Sequence, residues 1–165
     1  MEMYQTGFQR LFANVIDNII LQLCLLPLVW VVRPSLPTAI NLIIAVLACL
    51  IPVSYSIYMH GRFGQTLGKF FSGVKVVNFA GGRISYQQAL MRDIVPCIIL
   101  PVWIWTVAYA LIYREYPPSV MFRLAENIVY YWCALELITM LFNEQRRAIH
   151  DYIAKTVVIR VNRPF

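Results

Sequence analysis

Four long apolar runs constrain this chain before anything else does. They cover roughly residues 11–32, 38–59, 94–113 and 120–142. Each is close to the ~20 apolar residues that carry a helix across a bilayer. The first two are parted by "RPSLP" and the last two by "REYPPS". Both separators are short and rich in proline, which ends helices and turns the chain, so each pair is expected to be an antiparallel helical hairpin. The composition agrees. The chain is 60% hydrophobic and 13% charged, where a soluble domain is about half apolar and a quarter charged. The first run is too long for a signal-peptide core and no small-residue cleavage pattern follows it, so no cleavable signal is expected. The expected fold is an all-α integral membrane protein with four transmembrane helices.

The basic residues give the expected orientation. The connection 60–93 holds Arg62, Lys69, Lys75, Arg83 and Arg92, and the tail 143–165 holds Arg146, Arg147, Lys155, Arg160 and Arg163. With Arg10, 11 of the 14 basic residues lie on one side, leaving Arg33, Arg114 and Arg123 on the other. Lys and Arg accumulate on cytoplasmic loops, so both termini and the long connection are expected in the cytoplasm. That connection has local structure of its own. "VKVVNF" alternates as a short strand and "AGG" follows as a turn. "SYQQALM" opens a helix with Ser85 as N-cap and Gln88 three residues on, a capping-box pattern. "TVVIRV" near the end is a second strand candidate. Two strands alone are marginal in water, so the pair is expected to pack on the helix ends as a small cytoplasmic cap.

The first run carries a polar stripe. Arg10, Asn14, Asp17, Asn18 and Gln22 fall within an arc of about 140° on a 3.6-residue helix, and the rest of the surface is apolar. A charge in hydrocarbon costs at least about 2.5–3.5 kcal/mol, so such a stripe faces protein or a water-filled cavity. Asp17 lies about 10 Å along the axis from Arg10, too far for a tight pair, so each needs a partner elsewhere. Two readings stay open: the stripe lines a cation or proton route, or Arg10 snorkels and Asp17 is a static contact between helices. On the fourth run Glu126 has Arg123 three residues away as a local partner. Glu136 is deeper, at about the depth of Asp17, without a partner on its own helix. It reads equally as a transport carboxylate or a polar helix contact. Pro27, Pro52, Pro96 and Pro101 lie within the runs; interior prolines free carbonyls, as transporter sites use, but membrane helices tolerate them generally.

"GQTLGK" places glycines around Thr66 beside a membrane exit. It lacks Walker spacing, so it reads as a tight turn, with Lys69 and Lys75 expected at the level of the lipid phosphates. In "RRAIHD", His150 and Asp151 are neighbours about 100° apart on a helix and form no dyad with each other. Asp151 is instead expected to pair with Arg10 at the inner membrane edge. No nucleophile–base set and no metal-ligand spacing is legible, so neither enzyme activity nor a metal or cofactor is expected. Cys24, Cys49, Cys97 and Cys133 sit apart in apolar runs as small hydrophobes. The net charge of +6 comes without a basic helix or an aromatic platform, so no nucleic-acid partner is expected.

Three blocks together resemble the RDD family of bacterial membrane proteins, named for an arginine and two aspartates. "RLFANVID" is similar to its Arg-x-x-Ala-x-x-x-Asp pattern, with Arg10 and Asp17. "GQTLGKFFSGVKVVNFAGGRISYQQALMRD" is similar to its block after the second span and gives Gly64, Thr66, Gly68, Lys69, Gly73, Lys75 and Arg92. "RRAIHDYIAKTVVIRV" is similar to its ending and gives Arg146, Arg147, His150 and Asp151. That ending usually continues with a small residue and glycine before threonine, where this chain has Ala154 and Lys155. The resemblance implies one RDD-like membrane domain over 1–165 in the bacterial inner membrane. It implies transport, with sodium/proton exchange proposed for some members, or an accessory role in a larger membrane complex. The expected function is transport of a cation or small solute. The alternative is a non-transporting accessory or assembly subunit. A route through four helices is narrow, so transport implies a homo-oligomer in the lipid bilayer.

Overall fold

The computed structural model describes residues 6–33, 35–115, 119–143 and 145–161. Pro34 and residues 116–118 of the two proline-bearing separators, and Arg163 of the basic tail, lie outside them.

Helices form where the apolar runs predict them. They are α1 (Gly7–Val31), α2 (Thr38–Phe63), α5 (Ile94–Tyr113) and α6 (Ser119–Leu141). The ends differ from the expected spans by a few residues. At the first hairpin Asn41 is buried, and its amide donates to the Arg33 carbonyl at 2.9 Å, which closes the turn. Three helical stretches, Gly7–Leu28, Thr38–Phe63 and Ile94–Tyr113, are long and apolar enough to cross a membrane. The helix α6 has 23 residues, but Arg123, Glu126 and Glu136 interrupt its apolar run. Along α1, Leu11, Val15, Ile19 and Leu23 are all exposed at four-residue spacing. A lipid-facing helix leaves such a stripe uncovered, whereas a soluble one buries it.

The polar end of the helices carries a small mixed layer. It contains α3 (Leu67–Phe71), β1 (Val74–Asn78), α4 (Tyr86–Arg92), α7 (Ile149–Ile153) and β2 (Thr156–Arg160). The strands β1 and β2 pair antiparallel, with Val76 opposite Val158, so the two strand candidates do find each other. Alternation turns Val74, Val76 and Val158 inward, where they pack with Ile84 and Ala89 of the α4 approach and with Ile57 of α2. The expected capping box closes α4: Gln88 N–H donates to Ser85 Oγ at 3.1 Å and Ser85 N–H to Gln88 Oε1 at 3.0 Å. Gly64 ends α2 in the left-handed conformation, φ 73°, and its carbonyl accepts from Val76 N–H at 2.8 Å. A Cβ there would stand 2.8 Å from the Val76 carbonyl, so both the backbone conformation and the space require glycine.

Candidate functional site

Two polar centres lie where the helices meet the cap. The first gathers on Asp151, which is fully buried in α7. One carboxylate oxygen, Oδ2, accepts from Arg10 Nη1 at 2.7 Å and from the Ala148 N–H at 3.1 Å. The other, Oδ1, accepts from Arg92 Nη1 and from the Thr156 hydroxyl. The expected pairing of Arg10 with Asp151 is therefore present, but it is a single contact and not a bidentate one, because Arg92 occupies Oδ1. Arg10 Nη2 is left buried without a hydrogen-bond partner among the described residues. Burial alone would raise the Asp151 pKa. The two guanidiniums, Arg92 and Arg10, outweigh it and hold the carboxyl well below the usual carboxylate range. Such a network ties α1, α4, α7 and β2 together.

Arg147 completes this centre. Its guanidinium donates to the Thr156 carbonyl at 3.2 Å and to the Asp151 carbonyl at 3.3 Å. It also sits between the rings of Phe79 and Tyr152, 4.3 and 3.9 Å from their centroids, a cation–π sandwich. Arg146 donates to the Leu141 carbonyl at 3.2 Å and so caps the end of α6. Gly73 heads β1, and its carbonyl accepts from Val161 N–H at 2.8 Å. Lys75 is half-buried on β1 opposite Ile159.

The second centre gathers on Asp17. Its carboxylate accepts from the Tyr55 hydroxyl at 3.0 Å, the Thr66 hydroxyl at 2.5 Å and the Gly68 N–H at 2.8 Å. Thr66 is the N-cap of α3, and its hydroxyl oxygen also accepts from Lys69 N–H. Gly68 lies so close to α1 that a Cβ would stand 2.1 Å from the Ala13 carbonyl. The turn "GQTLGK" thus folds back onto α1 with Asp17 as its anchor. That geometry corrects one expectation. Lys69 does not reach the lipid phosphates; it is buried, because the cap on α3 turns it inward. Its Nζ lies 2.6 Å from His60 Nε2. An ammonium can only donate, so His60 accepts at Nε2 and is neutral, with Nδ1 toward the Ser56 hydroxyl at 3.2 Å. Burial pushes the Lys69 ammonium down to about 8, and Arg92 adds to the shift.

Glu136 also finds a partner the sequence did not indicate, His150 Nδ1. On the other side of the ring, Arg92 Nη2 donates to Nε2 at 3.0 Å. The arginine can only donate, so His150 carries its proton on Nδ1 and gives it to Glu136. His150 Nε2 and Asp151 Oδ1 are 3.6 Å apart, outside hydrogen-bond reach, in line with the expected absence of a dyad.

A partly open cavity of about 570 Å³ lies between these groups and the helices. Asn14, Asp17, Asn18 and Glu136 line it, as do Thr66, Lys69, Arg92 and His150. Arg10, the three motif glycines Gly64, Gly68 and Gly73, Lys75, Arg146, Arg147 and Asp151 do not. Tyr55, His60 and Asp93 line it too and were not singled out in the sequence. Tyr55 and His60 had no motif around them. Asp93 stands beside a motif arginine, which was a usable signal.

The model of the RDD family matches residues 4–155 of the chain. No curated protein and no solved structure matches it.

Proposed function

The chain belongs to the RDD family, and on that premise we propose that it is a transport protein of the bacterial inner membrane, moving a cation or small solute. In this reading α6 is the fourth span: its 23 residues reach about 35 Å at 1.5 Å per residue, and His150 Nδ1 gives Glu136 a hydrogen-bond donor. Both termini and the mixed layer then face the cytoplasm, where the basic residues concentrate.

One observation carries the proposal. The ionisable side chains brought together by three separate helices and the cap border a common cavity, with Asp17, Asp93, Glu136, Lys69, Arg92 and two histidines on its wall. Intramembrane ionisable groups facing a cavity mark solute and ion routes more often than plain packing. A single four-helix unit gives a narrow route, so the transporting form is a homo-oligomer. The test is reconstitution of the purified chain in liposomes, with flux followed for sodium, potassium, protons and small amines across imposed gradients. Absence of flux for all of them would overturn the reading.

A second reading, an accessory subunit of a larger complex, draws support from α6. Tyr130 and Tyr131 are 80% and 74% exposed near the middle of that helix, whereas tyrosines facing lipid concentrate at the interfaces. Purification from native membranes separates the two readings: an accessory subunit brings a different protein with it in fixed ratio, and a homo-oligomer does not.

A further inference from the structure

Three buried polar side-chain atoms lack a hydrogen-bond partner among the described residues: Arg10 Nη2, Ser72 Oγ and Asp93 Oδ2. Of these residues only Asp93 lies on the cavity wall. It stands where α4 ends and α5 begins, yet its side chain caps no backbone N–H. The cations beside it direct their hydrogen bonds elsewhere, although the Asp93 charge still acts on Lys69 through space. Lys69 bonds His60, and Arg92 bonds Asp151, Thr156 and His150. Asp93 is half-buried, and its fully buried oxygen, Oδ2, has no donor among the described residues. A buried acceptor left unmatched is costly, and a cation from outside the chain is the natural complement.

The kind of cation follows from the rest of the wall. A bare hard cation takes about six oxygen ligands. Among the described residues no group of three or more His, Cys, Asp or Glu side chains could hold a metal ion, and both oxygens of Asp17 are taken by protein donors. The cavity is also far larger than an ion. Its volume of about 570 Å³ falls within the ~300–1,000 Å³ of small-molecule sites. Beyond Asp93 the wall turns apolar and aromatic: Ile99, Leu100 and Trp103 rise along α5, facing Val53 of α2 and Trp132 of α6. Indole faces attract organic cations as well as apolar groups.

We propose that this cavity binds an amphiphilic organic monocation, a protonated amine with an apolar body, its ammonium on Asp93 and its body against Trp103 and Trp132. The inference rests on the transport reading for taking the cavity as a substrate site, and it names the substrate class. An ammonium supplies the donor that Asp93 Oδ2 lacks. The apolar body fills a space that water would occupy poorly.

The experiment is calorimetric titration of the purified full chain in detergent with 2-phenylethylamine, charged at pH 7, and with 2-phenylethanol as its neutral counterpart. The amine is expected to bind saturably and at least tenfold more tightly than the alcohol. Asp93→Asn should weaken the amine at least tenfold and leave the alcohol unchanged. Trp132→Ala should weaken both. Equal binding of amine and alcohol, no saturable amine binding, or an Asp93→Asn chain with unaltered amine affinity would each overturn the proposal. Should Asp93→Asn fail to fold, the amine-to-alcohol ratio on the unaltered chain decides, because that ratio requires an anionic contact. Flux of sodium or protons without amine binding would sink this site and keep the transport reading. Amine binding without flux of any solute would do the reverse.

Discussion

Arg10 and Asp151 meet at 2.7 Å across 141 positions of sequence. The contact joins the first turns of α1 to the one-turn helix that precedes β2. Asp151 is shared with Arg92, so the two ends of this relationship are not equivalent. Removing Arg10 leaves Asp151 compensated by Arg92. Removing Asp151 leaves two guanidiniums facing each other. Breaking a buried pair by deleting one partner costs roughly 3–5 kcal/mol when the other charge stays uncompensated. Asp151→Ala should therefore lower the melting temperature in detergent more than Arg10→Ala does. The double variant should lose less than the sum of the two, since both remove the same contact. Additive losses, or an Arg10→Ala chain less stable than Asp151→Ala, would contradict this account.

Asp17 is held by three donors, so its first role is to fasten α3 on α1. Asp17→Asn keeps the shape but puts an amide NH2 in place of one oxygen. There it faces either the Thr66 hydroxyl, which must then turn to accept, or the Tyr55 hydroxyl and the Gly68 N–H, of which the N–H can only donate. Leaving buried donors unmatched costs about 1–3 kcal/mol each. The expected outcome is a lower melting temperature and a parallel fall in flux. A chain of unaltered stability that has lost flux alone would instead make Asp17 a titrating transport group. Gly68→Ala tests the same junction from the other side. Its Cβ would meet the Ala13 carbonyl at 2.1 Å, and the backbone on both sides must move, so a comparable or larger loss is expected.

Local patterns were the legible part of this fold. The strands, the Ser85–Gln88 box and the long helices depend on neighbours a few residues apart; the strands and the box are found where the pattern puts them, and the helix ends within a few residues of it. The Arg10–Asp151 contact was legible for a different reason: the apolar runs confine both residues to one end of the helices, so few partners compete. Lys69 and Glu136 were not. A helical wheel tells which face a side chain occupies but not what folds back onto it. The inward turn of Lys69 depends on the Thr66 cap and on the closeness of Gly68 to α1. The partner of Glu136 comes from α7, a five-residue helix whose position is set by Asp151.

Lys155 is strained in a way the sequence hints at. Its φ is 53°, in the left-handed region, at the position where the resembling family sequences carry glycine. Holding an ordinary L residue there costs roughly 1–2 kcal/mol, partly offset by the greater chain entropy of glycine when unfolded. Lys155→Gly should stabilise the chain by up to about 1 kcal/mol, seen as a raised melting temperature. A lowered one would mean that the lysine side chain contributes contacts exceeding the strain.

The proposed orientation has a direct check. Ser35 lies in the first separator and Ala80 in the turn after β1, and both are exposed. In a chain otherwise free of cysteine, a membrane-impermeant thiol reagent applied to intact cells should label Ser35→Cys and miss Ala80→Cys. After the cells are opened, Ala80→Cys should react. Labelling of Ala80→Cys in intact cells would reverse the topology.

The burial of Lys69 makes stability depend on alkaline pH in a defined direction. The ammonium titrates at about 8 in the folded chain, against an ordinary value of 10.5. Between those two values the unfolded chain still holds the proton that the folded chain has released. The unfolded state then binds more protons, so stability rises with pH across that window. Below about 8 both states are protonated and this group adds no slope. Lys69→Met removes the titration and also leaves His60 Nε2 without its donor, a loss that does not vary over this range. Melting temperatures of the two chains, measured in detergent from pH 7 to 11, should therefore shift relative to each other. The lysine chain should gain on the methionine chain from about pH 8 upward and level off near 10.5. The other lysines and tyrosines titrate in both chains and cancel in the difference. A difference that stays flat with pH, or that moves in favour of methionine, would mean that Lys69 is not desolvated where α3 places it.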